Sequence, residues 1–296
     1  MTSTIETMLQ HYKPLSKTEY ESAIQEIMQE IALMGLWRAK FFEHAAFYGG
    51  TSLRILHNLG RFSEDLDFSL LRPDLKFDLL PFLKAVEEEL EISGLKIHVD
   101  HKIKHPEESI RSAFLKTGTL ETFIRIGLDE QLKRHTQSNE VIKIKLEIDI
   151  DPPQGFATEI RYLTRPFPFS VRTYVPEDLF AGKMHALLCR PYKVRVKGRD
   201  WYDFIWYVSK KIPLHLAHLE MRMRQSGHYT FEGPLTQSIF LKIMEGKIAG
   251  LNIQAAQEDI RRFIRSPREI EGWSREFFQS LLPQIQWTAD SSLRGV

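Results

Sequence analysis

The stretch "VIKIKLEIDID", residues 141–151, alternates apolar and charged side chains almost without a break. On a helix that period would scatter apolar groups around the whole circumference. On a strand it sends Ile144, Leu146, Ile148 and Ile150 to one face and Lys143, Lys145, Glu147, Asp149 and Asp151 to the other. A chain that contains it must build a sheet with one buried and one polar face. "AAFYGG" (45–50) reads as a buried strand closed by a glycine turn, and "LDFSL" (66–70), "LKIHVDHKI" (95–103), "TFIRIGL" (122–128) and "FSVRTYV" (169–175) read as further strands. Helical spacing appears over 17–36, over "TSLRILHNL" (51–59) with Thr51 as N-cap, and over 77–93. Beyond Pro176 nearly everything reads as helix, at about 177–190, 200–209, 214–225, 235–247, 253–265 and 268–282. Strands followed by helices predict an α+β fold: a mixed-sheet core with N-terminal helices over 1–175 and a helical lobe over 176–296.

With 296 residues, 43% of them hydrophobic, the chain can bury the cores of two lobes. A formal charge of +1 excludes a chain-wide basic field, so any polyanion must be met by a local patch. The single cysteine, Cys189, excludes a disulfide framework and a Cys-rich zinc site and suits a reducing compartment. Residues 1–37 lack the basic start and unbroken apolar run of a signal peptide, and no stretch approaches the roughly 20 apolar residues that span a bilayer. A soluble, cytoplasmic protein is expected.

Asp65 and Asp67 stand two apart on a strand and therefore share a face, with Leu66 and Phe68 turned to the core. Two carboxylates a few ångströms apart repel by roughly 1–4 kcal/mol. A strand gains nothing from that repulsion, and Mg²⁺, which takes one or two carboxylates together with substrate phosphates, relieves it. Just upstream, Gly49 and Gly50 permit a tight turn and close backbone approach, and the helix start at Thr51-Ser52 offers free N–H groups to a phosphate. An anion cradle next to metal-binding acids is what a nucleoside triphosphate requires.

A second informative stretch is "EDLFAGKMHALLCRPYKVRVKGRDWYDFIWYV", 177–208. Lys183 lies among Phe180, Ala181, Met184 and Ala186, where a lysine is costly unless paired. From Lys183 to Arg199 there are six Lys and Arg and no acid, which makes this the local basic patch; its "PYKVRVKG" segment could hold an RNA backbone. Asp200 and Asp203, three apart, share one face of the next helix and could pair with Lys183 or Arg199 to fix a cation aimed at a triphosphate. His185 reads as structural, since no HxxxH spacing supports zinc, and Cys189 as a small buried apolar residue. His98, His101 and His105 fall on strand and loop and do not form a metal site.

Together, "GGTSLR…RFSEDLDF" and the Lys-x-x-Ala helix followed by Arg-Asp-x-x-Asp resemble the AbiEii/AbiGii toxin family of DNA polymerase β-like nucleotidyltransferases. Gly49, Gly50, Thr51, Leu53, Arg54, Arg61, Ser63, Asp65, Asp67 and Phe68 match its first signature; Lys183, His185, Ala186, Arg190, Arg199, Asp200, Tyr202 and Asp203 match its second. The resemblance implies two Mg²⁺ ions on Asp65, Asp67 and a third carboxylate, which also takes the proton of the attacking hydroxyl. That acid is Glu147 by the family's "IKLE" strand, with Asp149 on the same face as its rival. Nucleotide binding falls to Gly49, Gly50, Thr51, Arg54, Arg61, Ser63 and Lys183. An acid of the RDxxD element is needed for activity: Asp203 is preferred, with Asp200 as an ion-pairing or capping residue. The resemblance further implies an NTP substrate, an RNA acceptor such as the 3′ end of tRNA, and a role as the toxin of a toxin–antitoxin or phage-exclusion pair, with a separate antitoxin protein as partner.

Overall fold

The computed structural model describes residues 4–102, 109–128, 130–190 and 196–289. Residues 191–195 of the basic run, Ile103 and His105 lie outside them. The chain divides into two compact units: the first comprises Met1–Asn58, Phe62–Pro152 and Glu159–Thr173, the second Leu59–Arg61, Pro153–Thr158 and Tyr174–Val296. Among the described residues no helix is long and apolar enough to cross a membrane.

In the first unit the elements run α1 (Thr4–Leu9), α2 (Lys17–Arg38), β1 (Ala45–Tyr48), α3 (Gly49–His57), β2 (Asp65–Leu70), α4 (Leu80–Ile92), β3 (His98–Lys102), β4 (Ile110–Gly118), α5 (Thr119–Arg125), α6 (Glu130–Arg134), β5 (Val141–Asp149), β6 (Thr158–Leu163) and β7 (Phe169–Tyr174). The seven strands form one mixed sheet in the order β3-β4-β5-β2-β1-β7-β6. β2 lies inside it, antiparallel to β1 and parallel to β5. The alternation expected of β5 is realised: Ile142, Ile144, Leu146 and Ile148 are buried and the residues between them are not. The 22-residue α2 is capped by Ser16, whose side chain accepts from the Glu19 N–H. Its backbone runs so close to α4 that a Cβ at Gly35 would stand 3.0 Å from the Ala85 carbonyl oxygen.

Three expectations need correction. Residues 122–128 are not a strand: α5 covers Thr119–Arg125, and the buried positions Thr119, Thr122, Phe123 and Ile126 follow a helical 3-4-7 spacing. The strand in this region is instead β4, whose buried row Ala113, Leu115 and Thr117 is disguised in the sequence by its threonine. Thr51 is not an N-cap either. Helix α3 begins two residues earlier, at Gly49, with Tyr48 in the cap position, and the Thr51 hydroxyl donates instead to the Asp65 carbonyl. Finally, 268–282 is not continuous. A 3₁₀ turn at Pro267–Ile270 precedes a helix that restarts where the Ser274 side chain accepts from the Phe277 N–H.

The second unit contains α7 (Pro176–Cys189), α8 (Gly198–Ser209), β8 (Pro213–Leu214), α9 (Leu216–Gln225), α10 (Gln237–Ala249), α11 (Ile253–Arg261), α12 (Arg275–Leu281) and β9 (Gln286–Trp287), with β8 and β9 paired in parallel. Its core is aromatic: Phe180 stacks on Tyr207 at 4.3 Å and Trp201 meets Phe278 edge-on at 4.8 Å.

Candidate active site

In the first unit the sheet register brings the acids together. Asp67 of β2 stands opposite Glu147 of β5, Asp65 opposite Lys145, and Ser69 opposite Asp149. Asp65, Asp67, Glu147 and Asp149 are all half-buried and lie on the face away from the apolar core. Glu147 pairs with Lys145 at 2.6 Å. Three carboxylates against one ammonium leave the group Asp65, Asp67, Glu147 and Lys145 with a net formal charge of −2. Asp149 closes strand β5, and its carboxylate accepts from the Asp151 N–H at 3.1 Å.

Helix α3 opens directly over these acids. Gly49 has φ +82°, a conformation that L side chains rarely adopt, and a Cβ built there would overlap the Asp67 carboxylate. The first-turn N–H groups, of Gly49, Gly50 and Thr51, have no partner within the helix. The helix is anchored on three sides. Thr51 donates to the Asp65 carbonyl; Ser52 Oγ lies 3.0 Å from Thr173 Oγ1, which donates to the Phe47 carbonyl at 2.8 Å. Arg54 is bound to Glu26 of α2 at 2.7 Å and lies over the Phe62 ring at 4.7 Å. A cavity of about 450 Å³ adjoins Asp65, lined among others by Gln25, Glu64, Phe114, Lys143 and Lys145.

In the second unit the RDxxD segment forms a buried charge network. Asp203 is wholly buried and accepts two 2.6 Å hydrogen bonds from Arg61, which is itself 2% exposed. Lys183 stands 2.8 Å from Asp203 and 3.2 Å from Asp200, and Arg190 reaches Asp200 at 3.2 Å. Burial pushes the Asp203 carboxyl up, but the Arg61 guanidinium and the Lys183 ammonium outweigh it and hold the group below its ordinary value. Burial likewise disfavours the Arg61 charge, and Asp203 more than restores it. Arg199 lies over the Phe263 ring at 4.3 Å.

The register therefore gathers Asp65, Asp67 and Glu147 and sets Asp149 one step aside. Thr51 and Arg54, expected at the nucleotide, hold helix α3 in place with their side chains. The Ser63 carbonyl accepts from Gln29 at 3.0 Å. Arg61 belongs to the second unit, beside Asp203. Two contributors escaped the sequence reading. Lys145 supplies local counter-charge, and Glu26 fixes Arg54. Two acids a helical turn apart among the isoleucines of α2, Glu26 and Glu30, were the signal for the second.

A family model described as nucleotidyl transferase AbiEii toxin, type IV TA system, matches residues 31–290. No curated protein matches the chain. Among solved structures, JHP933 from Helicobacter pylori is similar at 15% identity and a TM-score of 0.50, over 88% of each chain. A second H. pylori structure, provisionally named a nucleotidyltransferase, is similar at 16% identity and a TM-score of 0.49, over 88% of this chain and 91% of its own.

Proposed function

This chain belongs to the AbiEii nucleotidyl transferase toxin family of type IV toxin–antitoxin systems, and on that premise we propose that it transfers a nucleotide from an NTP to the 3′ hydroxyl of an RNA, with Asp65, Asp67 and Glu147 as its acidic centre. The observation that carries this reading is the register that sets Asp67 beside Glu147 under the Gly49 turn.

The donor type suits Mg²⁺: hard carboxylate oxygens on adjacent strands, Asp67 beside Glu147. When bound, the metal supplies charge neutralisation at the triphosphate. The first-turn N–H groups of α3 face anionic oxygens, and the absence of a side chain at Gly49 leaves Asp67 room beneath them. Glu147 takes the proton of the acceptor hydroxyl as its oxygen attacks the α-phosphorus; the bond from that phosphorus to the bridging oxygen breaks and pyrophosphate leaves. Register favours Glu147 over Asp149 for this step, since Asp149 lies beside Ser69. Lys183 is assigned to the phosphates by family resemblance, and Asp200 and Asp203 fix its ammonium. The RNA acceptor and the antitoxin partner likewise rest on the family.

The test incubates the purified chain with Mg²⁺, each labelled NTP in turn and total RNA. Labelled RNA is expected from the native protein and from Asp149→Asn, and none from Asp65→Ala. Glu147→Gln is expected to lose roughly 100-fold or more of the rate. Label on protein or small molecules instead of RNA overturns the acceptor assignment. A growth effect that survives Asp65→Ala overturns the enzyme reading, in favour of a binding scaffold.

A further inference from the structure

Away from the acids, in the second unit, the side chains of His185, Cys189 and His228 bring three ligand atoms within 4.8 Å of one another. They form the only such group of three or more among the described residues. His185 and Cys189 stand four apart on α7 and so share one face of that helix. His228 arrives from elsewhere by a backbone device of its own. Helix α9 ends at Gln225, Gly227 adopts φ +72°, the Gly227 N–H bonds the Arg224 carbonyl, and the His228 N–H bonds the Met223 carbonyl at 2.8 Å. That is a Schellman closure, and it fixes the position of the histidine. The two imidazoles meet nearly at right angles, 6.3 Å apart, and converge on one atom: Ser226 Oγ lies 2.8 Å from His185 Nε2 and 3.0 Å from His228 Nδ1.

We propose that His185, Cys189 and His228 form a binding site for a zinc-class divalent cation, held by two imidazoles and one thiolate with a fourth position open. One thiolate and two imidazole nitrogens form a donor set that suits a borderline-soft ion and not the Mg²⁺ of the acidic centre. Ser226 Oγ marks the point at which both imidazole nitrogens already aim, and a cation entering there takes over the partners of that hydroxyl. Burial raises the Cys189 thiol to about 11, and Lys247 acts weakly against this. The thiol gives up its proton to the solvent as the metal binds. Arg190, Arg222 and Lys247 are the cationic groups felt at His185 and Cys189, and the thiolate offsets part of their repulsion. The site does not depend on the nucleotidyl-transfer reading, since none of its residues belongs to the acidic centre.

The test uses the full chain, stripped with a chelator and titrated with Co²⁺ as a spectroscopic stand-in, then with Zn²⁺ in competition. The expected result is a near-ultraviolet thiolate-to-cobalt charge-transfer band that saturates at one metal per chain, is displaced by Zn²⁺, and is accompanied by a rise in melting temperature. Cys189→Ser abolishes the band. His228→Ala, at an exposed position where the fold has little to lose, weakens binding by more than about tenfold. Absence of the band in the folded native chain overturns the site, and so does unchanged Co²⁺ affinity in His228→Ala.

Discussion

Replacing Asp203 with Asn puts the buried charge network to a quantitative test. The substitution keeps the shape of the side chain and removes a full negative charge bonded twice at 2.6 Å to Arg61, a guanidinium 2% exposed. Breaking a buried pair by neutralising one partner costs about 3–5 kcal/mol. At about 2–4 °C per kcal/mol for a protein of this size, the melting temperature should fall by about 6–20 °C. Removing both partners together, as Arg61→Met with Asp203→Leu, eliminates both charges of the pair and should recover much of that loss, which gives a coupling of about 2 kcal/mol or more in the double-mutant cycle. The pH dependence has a definite sign. The folded carboxyl of Asp203 lies below its ordinary 3.8, so its contribution is fully present above that value and disappears as pH falls through the lowered one. Calorimetry of the four proteins at pH 7, followed by an acid series, measures all of this. An Asp203→Asn protein that melts like the native one yet transfers no nucleotide would refute the reasoning and make the carboxylate a substrate-facing group.

Two further outcomes are expected. Gly49→Ala forces a side chain into a left-handed backbone and against the Asp67 carboxylate; it should cost about 1 kcal/mol or more and reduce transfer sharply, and an alanine variant of native stability and rate would show that the turn has room to spare. Burial raises the Glu30 carboxyl to about 7 against the pull of Arg165 at 2.8 Å, and its second oxygen has no hydrogen-bond partner. The folded chain then holds a proton that the unfolded chain has already released, so stability should decline as pH rises from about 4.5 to 7. Glu30→Gln should flatten that slope in a urea-unfolding series, and an unaltered slope counts against the assignment.

Much of the acidic centre was legible because its strands obey period two. The face of Asp65 and Asp67, and the face of Lys143, Lys145, Glu147 and Asp149, follow from alternation alone. What alternation cannot supply is register. The choice between Glu147 and Asp149 depends on which residue of β5 lies beside Asp67, and that is fixed by pairing between strands some 80 positions apart in the chain. Residues 122–128 misled for the opposite reason. A short apolar run satisfies both periods, and the threonines that complete its helical face do not look apolar. Arg61 shows a third kind of limit. Its neighbours in sequence carry the family resemblance, while its guanidinium bonds Asp203, 142 positions away.

Strand β2 has a bonded neighbour on each side, and its odd and even positions are committed to opposite tasks. Inserting or deleting a single residue there would swap the phase, turning Leu66 and Phe68 to water and driving two aspartates into the oil. Exposing each apolar group costs about 1.5–3 kcal/mol, and each buried carboxylate several more, which together rival the whole margin of a typical fold. A one-codon indel at this strand should therefore yield no folded protein at all, whereas a substitution at Asp65 or Asp67 leaves an intact but silent one.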